Sequence, residues 1–181
     1  MKNQSSSTIN KVLGVLNDML NAGIVENYAI GGAFAAILHN EPISTIDLDI
    51  FFFLREKGDS PIISLSAIYN YAKKRGFSFD HEFVNIHGWL VQFIEASHSP
   101  LWTESVEDAD RMKIDGLDVS VIGKEHLVAM WLFAGRAKDY QKITMFREAG
   151  FLDETRMFDI LERHDLMSKW KKEKWRFADE E

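Results

Sequence analysis

Two carboxylates, Asp47 and Asp49, lie in a segment that is otherwise apolar enough for a buried strand, TIDLDIFFFL at residues 45–54. Side chains alternate along a strand, so both carboxylates project from the same face. At that separation they repel each other, and each tends to keep a proton. Mg²⁺ removes this repulsion, because it prefers oxygen ligands and is commonly held by one or two carboxylates together with substrate phosphates. The pair therefore predicts a site for Mg²⁺, or for Mn²⁺.

A glycine pair, Gly31 and Gly32, ends the apolar run that precedes this strand. Glycine lets the backbone turn tightly and approach a ligand, and the free N–H groups at the start of a following helix attract anions. Each part alone has a plainer interpretation, a simple turn or a solvated strand edge. Their order, with Thr45 two residues before Asp47, favours a phosphate cradle beside a metal site, as the binding of a nucleoside triphosphate requires.

The segment GGAFAAILHNEPISTIDLDIF resembles the signature of the polymerase-beta-like nucleotidyltransferase superfamily. More narrowly, it is similar to the AbiEii/AbiGii toxin group, which adds a later Lys-Asp motif on a helix. Here that motif lies in GRAKDYQKI, with Lys138 and Asp139. The segments VQFIEASHSPLWTESVEDAD and IGKEHLVAMWLFAGRAKD also resemble that group, so the similarity extends over about residues 25–165.

The resemblance implies a Mg²⁺-dependent transfer of a nucleotide from a nucleoside triphosphate to an acceptor hydroxyl. It also implies a toxin of a toxin-antitoxin or phage-defence pair, with an antitoxin protein as partner and RNA, such as tRNA, as one acceptor. In this scheme Lys138 neutralises charge on the transferred phosphates, and Asp139 orients it or acts as a base. Arg136 is a second candidate for phosphate binding. Without the resemblance, Ala-Lys-Asp is simply a helix start with an aspartate in its first turn.

The sequence departs from the group's pattern at Ile43, where a basic residue is usual, and at Lys142, where another aspartate is usual. The superfamily also places a third carboxylate on a neighbouring strand. The candidate is Glu95, whereas the more central position is Gln92, and alternation cannot place both on one face. These departures keep open an alternative function, a nucleotide-binding or protein-interaction module of the same fold that has lost turnover.

The elements that must position these residues follow from periodicity and breakers. We expect a helix from Ser5–Ser7 to about Leu20, a compact helix after the glycines, and a helix that begins at Ser60 and Pro61. Strands are predicted at residues 27–30, 45–54, 77–84 and 88–95, a helix at 100–110, and a type I′ hairpin at Asp115-Gly116. Four helical stretches follow Lys124. The predicted fold is α+β (α/β mixed), a nucleotidyltransferase-like mixed β-sheet flanked by helices, with a core at 1–122 and a C-terminal helical part at 123–181 that can count as one domain with it.

Composition narrows the class of protein further. The 181 residues carry a net charge of -7 and no cysteine, which disfavours indiscriminate nucleic-acid binding and fits a reducing compartment. The polar N-terminus and the lack of a long apolar run predict a soluble, cytoplasmic protein with no membrane contact. The basic tail with Trp170 and Trp175 is more simply a solvated helix face than a nucleic-acid contact.

Three other kinds of site lack support in the sequence. HEFVNIH fails as a zinc-protease helix, because Asn85 stands where the second histidine is needed. Neither a Gly-x-Ser-x-Gly elbow nor a Walker loop occurs. Trp89, Trp102 and Trp131 are best interpreted as core or interface mass, with base stacking as the lesser alternative.

Overall fold

The computed structural model describes residues 2–39, 43–54, 65–150 and 152–176, with side chains from residue 8 onward. The fold is mixed α/β, a seven-stranded mixed sheet flanked by helices, which confirms the predicted fold class. The predicted helix start at Ser60 and Pro61 lies outside the described residues.

The strands are β1 (Val25–Ile30), β2 (Asp47–Leu54), β3 (Ser78–Asp80), β4 (Phe83–Ile86), β5 (Trp89–Glu95), β6 (Asp110–Ile114) and β7 (Leu117–Val121). Their order across the sheet is β3-β4-β5-β2-β1-β7-β6. The aspartate-bearing strand β2 is thus the central one, antiparallel to β1 and parallel to β5. A strand with neighbours on both sides cannot shift its register easily, so β2 holds its two carboxylates in a set direction.

The helices are α1 (Lys2–Asn21), α2 (Gly32–Leu38), α3 (Ser66–Lys74), α4 (Pro100–Glu107), α5 (Lys124–Ala134), α6 (Ala137–Glu148), α7 (Glu154–Arg163) and α8 (Met167–Glu173). Short 3₁₀ turns occupy Ala96–His98 and Lys174–Arg176. The four helices predicted after Lys124 are confirmed. Within the described residues, no helix combines the length and apolar character that crossing a membrane requires.

Two tight turns connect neighbouring antiparallel strands of the sheet, β6 to β7 and β3 to β4. Asp115 and Gly116 both have positive φ, 46° and 88°, as a type I′ turn requires, so the predicted hairpin is confirmed. The single strand predicted at residues 77–84 is wrong, because the chain turns between β3 and β4, where His81 has φ 53°. The alternation of side chains continues across that turn in the sequence and hides it.

One hydrophobic core joins the sheet to the C-terminal helices. Helix α5 is buried over most of its length, from Glu125 to Leu132, and its apolar side chains belong to the same core cluster as those of α1, β1 and β2. A helix that is apolar all round belongs in an interior. The division of the chain at residues 122 and 123 stays a prediction.

Candidate active site

A cavity of about 1020 Å³ is lined by residues of β2, β5, α5 and α6, among others. Six of the predicted site residues line it: Gly32, Thr45, Asp47, Asp49, Arg136 and Lys138. Residues distant in sequence therefore meet in one space, because β2 and α6 both line the cavity.

Asp47 and Asp49 both face this cavity, as the alternation along β2 predicts. Burial raises the pKa of Asp49, and the neighbouring carboxylate of Asp47 raises it further. Lys142, Arg136 and Lys138 act in the opposite direction on the pKa of Asp49. The Thr45 hydroxyl donates to the Asp47 carboxylate, which orients that carboxylate from the preceding loop.

The two glycines are required because β2 comes close to them. The Gly31 N–H donates to the Asp49 carbonyl oxygen at 2.8 Å, and a Cβ on Gly31 would lie 2.6 Å from the Phe51 ring. Gly32 has φ 60°, and a Cβ there would lie 2.0 Å from Asp49 Oδ2. The space that a side chain would fill at Gly32 is thus used by the Asp49 carboxylate itself.

Three basic side chains reach the cavity from the start of α6. Arg136, Lys138 and Lys142 all line it. Asp139 is fully buried beneath them, where it accepts from Arg136 Nε at 2.6 Å, from Arg136 Nη2 at 3.2 Å and from Lys142 Nζ at 3.3 Å. The bond to Asp139 is the main cause that raises the pKa of Arg136. Asp139 is therefore placed to hold the Arg136 guanidinium and the Lys142 ammonium in position.

The third carboxylate proposed from the sequence, Glu95, lies apart from this cluster. It pairs with Phe52 in the register of β2 and β5, on the face opposite to the aspartates. Its buried carboxylate accepts from the backbone N–H and the hydroxyl of Ser97 and so caps the 3₁₀ turn. The residue directly beside Asp49 on β5 is Gln92, which lines the cavity.

Sequence reasoning missed one acid of the cavity and interpreted two of its aromatic residues mainly as core or interface mass. Glu82, in the turn between β3 and β4, lines the cavity, but its signal is hidden with the turn itself. Trp102 and Trp131 line it as well, and Trp102 packs edge-on against Phe51 at 5.7 Å. The apolar wall and the polar floor together form a site that suits a ligand with both aromatic and anionic parts.

A second cluster of ionisable residues joins α4, α5 and α7 outside the cavity. Ligand atoms of Glu104, Asp108 and His126 lie within 4.8 Å of one another, close enough to hold a metal ion. Glu104, however, already accepts from Arg163, from His126 at 3.1 Å and from His164 at 2.8 Å. These bonds, chiefly that to Arg163, lower the pKa of Glu104 to about 2. A guanidinium on the central carboxylate competes with a cation there, so this cluster is better explained as a junction between helices.

No protein-family model matches the chain, and no curated protein matches it in sequence. Among solved structures, the chain is similar to an antigenic nucleotidyltransferase-like protein from Paracoccidioides brasiliensis, with TM-score 0.48 and 19% identity over 71% of this chain and 66% of that one. It is also similar to the antibiotic-resistance factor ANT(2'')-Ia, with TM-score 0.45 and 15% identity over 74% of this chain and 73% of that one. The chain thus spans just under two thirds of the first protein's length. Likeness this distant does not indicate an activity for the chain.

Proposed function

We propose that this protein is a Mg²⁺-dependent nucleotidyltransferase that transfers a nucleotide from a nucleoside triphosphate to an acceptor hydroxyl. One observation carries the proposal: two carboxylates from β2 and three basic side chains, Lys138 and Lys142 from α6 and Arg136 from its N-cap, line one cavity. Oxygen ligands on one side and cations on the other are what a metal-bound polyphosphate requires.

The residues present fit a divalent cation. Asp47 and Asp49 share one face of β2, and burial together with their mutual repulsion raises the pKa of Asp49, an arrangement that a bound cation would relieve. These two carboxylates would hold Mg²⁺, or Mn²⁺. The ion, when bound, supplies neutralisation of phosphate charge and polarisation of the phosphoryl oxygens.

The basic side chains act on the phosphates of the triphosphate. Arg136 and Lys138 are exposed to the cavity, where they bind the polyphosphate and stabilise the negative charge that grows on the leaving group. Gly32 keeps the backbone close to that space. Asp139 acts through the cations it holds, because its carboxylate is buried and engaged with Arg136 and Lys142.

In the reaction, the oxygen of the acceptor hydroxyl forms a bond to the α-phosphorus, and the bond from that phosphorus to its bridging oxygen breaks. Pyrophosphate leaves with the electron pair of the broken bond. The hydroxyl proton goes to water. The chain mainly orients the reactants and stabilises charge, as in other phosphoryl-transfer enzymes.

We further propose that the acceptor is RNA, such as tRNA, and that the protein is a cytoplasmic toxin neutralised by an antitoxin protein. The resemblance of the three motifs supports this proposal. The basic tail adds to it, since Lys169 Nζ donates to the carbonyl of Phe133 at 3.0 Å, and Phe133 lines the cavity. Trp175 is exposed and offers a stacking surface, and its neighbour Arg176 lies 5.3 Å from the centre of the Tyr140 ring on α6.

The test is incubation with each α-labelled nucleoside triphosphate, Mg²⁺ and total RNA. We expect label to enter RNA, and Asp47→Ala with Asp49→Ala to lower that transfer at least about 100-fold. Asp118→Ala, an exposed acid on β7, is the matched control and should retain transfer. Equal labelling by the double variant would refute the proposal, and labelling of protein instead of RNA would refute the RNA acceptor alone.

A second function is favoured by one observation, the neutral Gln92 beside Asp49. A site short of a carboxylate could bind nucleotide and serve as an interaction module with no turnover. Binding of a labelled triphosphate, with no transfer to RNA or protein under any condition, would select this alternative.

A further inference from the structure

Lys142 is held inside the cavity in a way that its sequence position does not predict. Its side chain is 14% exposed, and its ammonium lies 3.3 Å from the buried Asp139 carboxylate and 5.3 Å from the centre of the Trp131 ring. The carboxylate and the aromatic face both attract the ammonium and hold it in place. Lys142 thus presents an anchored ammonium to the cavity that Asp49 also lines.

In the part of the chain that the structure describes, no third acid stands beside Asp49 on the neighbouring strand β5. Its partner in the β2–β5 register is Gln92, a neutral amide. Among the described residues that line the cavity, the acids are Asp47, Asp49 and Glu82. Glu82 adjoins Phe83, which pairs with Gln92 across β4 and β5, so its backbone lies two strands from that of Asp49. Among the described residues, Asp47, Asp49 and Glu82 do not form a group whose ligand atoms lie within 4.8 Å of one another.

The charge balance disfavours two metal ions. Two-metal sites hold their ions about 3.5–4 Å apart, and bridging carboxylates must offset their mutual repulsion. Here two aspartates share a space with Lys142, Arg136 and Lys138, and the buried Asp139 carboxylate, which pairs with Arg136 and Lys142, is engaged by those cations. Of these three, Lys142 has the least exposed side chain. A second divalent ion next to Asp49 would meet an ammonium where a two-metal site has another carboxylate.

We propose that the site binds a single divalent cation, and that the Lys142 ammonium takes the place of a second one. This inference rests on the proposed function. Lys142 would then contact the phosphates of the nucleoside triphosphate on the side of Asp49 that faces α6. Gln92, the neighbour of Asp49 on β5, does not supply the carboxylate that a second ion needs.

The test counts Mn²⁺ bound per chain, by electron paramagnetic resonance of free Mn²⁺ during titration of the protein with Mn²⁺ alone. Wild type should bind one ion, and Asp47→Ala with Asp49→Ala none. Gln92→Glu with Lys142→Gln should bind a second ion, because a carboxylate is gained and an ammonium lost. Gln92→Glu with Lys142→Arg should remain at one, since the charge is kept. Gln92→Glu with Lys74→Gln, an exposed lysine on α3, is the matched control and should also remain at one.

Two Mn²⁺ in the wild type, or one in the folded Gln92→Glu, Lys142→Gln variant, would overturn the inference. Circular dichroism establishes folding, and Lys142→Asp, which should also gain an ion, serves if that variant does not fold. The proposed function can fail separately. If wild type binds two ions and transfer still depends on Asp47 and Asp49, only the single-cation inference fails. If it binds none and transfer is unaffected by the loss of both aspartates, both fail.

Discussion

At the scale of single residues, the site brings together charges that are unfavourable for the folded chain. Asp49 is the clearest case, because burial and Asp47 both raise its pKa from the ordinary value of 3.8. A carboxyl group whose pKa is raised in the folded state makes the protein less stable as pH rises from the unfolded-state pKa to the folded-state pKa. Such a residue is kept for what it binds.

We therefore expect Asp49→Asn to stabilise the protein at pH 7 in EDTA while it abolishes transfer. The Tm advantage over wild type should shrink as pH falls toward 3.8, where Asp49 becomes protonated in both states. Added Mn²⁺ should raise the Tm of wild type and leave that of the variant nearly unchanged. Thermal unfolding followed by circular dichroism measures the three effects on Tm, and the labelling assay measures transfer. Asp118→Asn is the control, and a variant less stable than wild type in EDTA at pH 7 would contradict the argument.

Gly32→Ala tests the close approach of β2. A Cβ would lie 2.0 Å from Asp49 Oδ2 at a residue with φ 60°, so we expect a loss of about 1–3 kcal/mol in the free energy of unfolding together with weaker Mn²⁺ binding. Gly14→Ala in α1 is the matched control, because a Cβ there meets nothing within 4 Å. That change should stabilise the helix by about 1 kcal/mol. Urea unfolding gives both values, and equal effects at the two positions would refute the explanation.

Asp139→Asn distinguishes orientation from base catalysis. Removing its charge frees Arg136 and Lys142 from their common partner, so we expect kcat/KM for the triphosphate to fall about 10-fold or more. If Asp139 only orients, the pH–rate profile should keep its shape. Loss of the acidic limb of that profile would instead assign Asp139 as the base.

At the scale of elements, Glu104 joins three helices through one carboxylate. Its partners are His126 on α5, Arg163 at the end of α7, and His164 just beyond it. The pKa of Glu104 is lowered to about 2. A lowered carboxyl pKa adds stability above the ordinary value of 4.5, and this stability is lost as pH falls toward 2.

Glu104→Gln should therefore destabilise the protein at pH 7 by about 1 kcal/mol, because solvent screens a carboxylate that is only partly buried. The difference from wild type should shrink as pH falls from 4.5 toward 2. Urea unfolding across pH 2–7 measures it, with Glu107→Gln, an exposed acid on the same helix, as the control. A difference that stays constant over this range would contradict the ion-pair explanation.

At the scale of the whole molecule, the C-terminal helices complete the core and supply half of the site. Arg136, Lys138 and Lys142 all follow residue 122, and Leu127, Val128 and Leu132 on α5 are fully buried. A fragment of residues 1–122 would expose the surface that α5 covers. We expect that fragment to be unfolded and to bind no Mn²⁺, as circular dichroism and Mn²⁺ titration can establish. A cooperatively unfolding fragment would instead support two separable parts.

Much of the local structure follows from the sequence alone. Alternation along residues 45–54 places Asp47 and Asp49 on one face, Gly31 and Gly32 mark the turn before α2, and Asp115-Gly116 specifies a hairpin. Each of these depends on interactions between residues a few positions apart, which spacing and backbone chemistry express directly. The motifs that resemble a nucleotidyltransferase are readable for the same reason.

Only the tertiary structure decides what surrounds the two aspartates. The strand order places Gln92 beside Asp49 and turns Glu95 to the other face, while the packing of α6 brings Lys142 to the cavity. Which strand lies beside β2 and which helix covers it depend on the burial of apolar surface across the whole chain. This driving force is non-directional, so no local spacing of residues in the sequence predicts its outcome. The sequence by itself determines that two carboxylates share a face, and the tertiary structure determines that an amide and an ammonium meet them there.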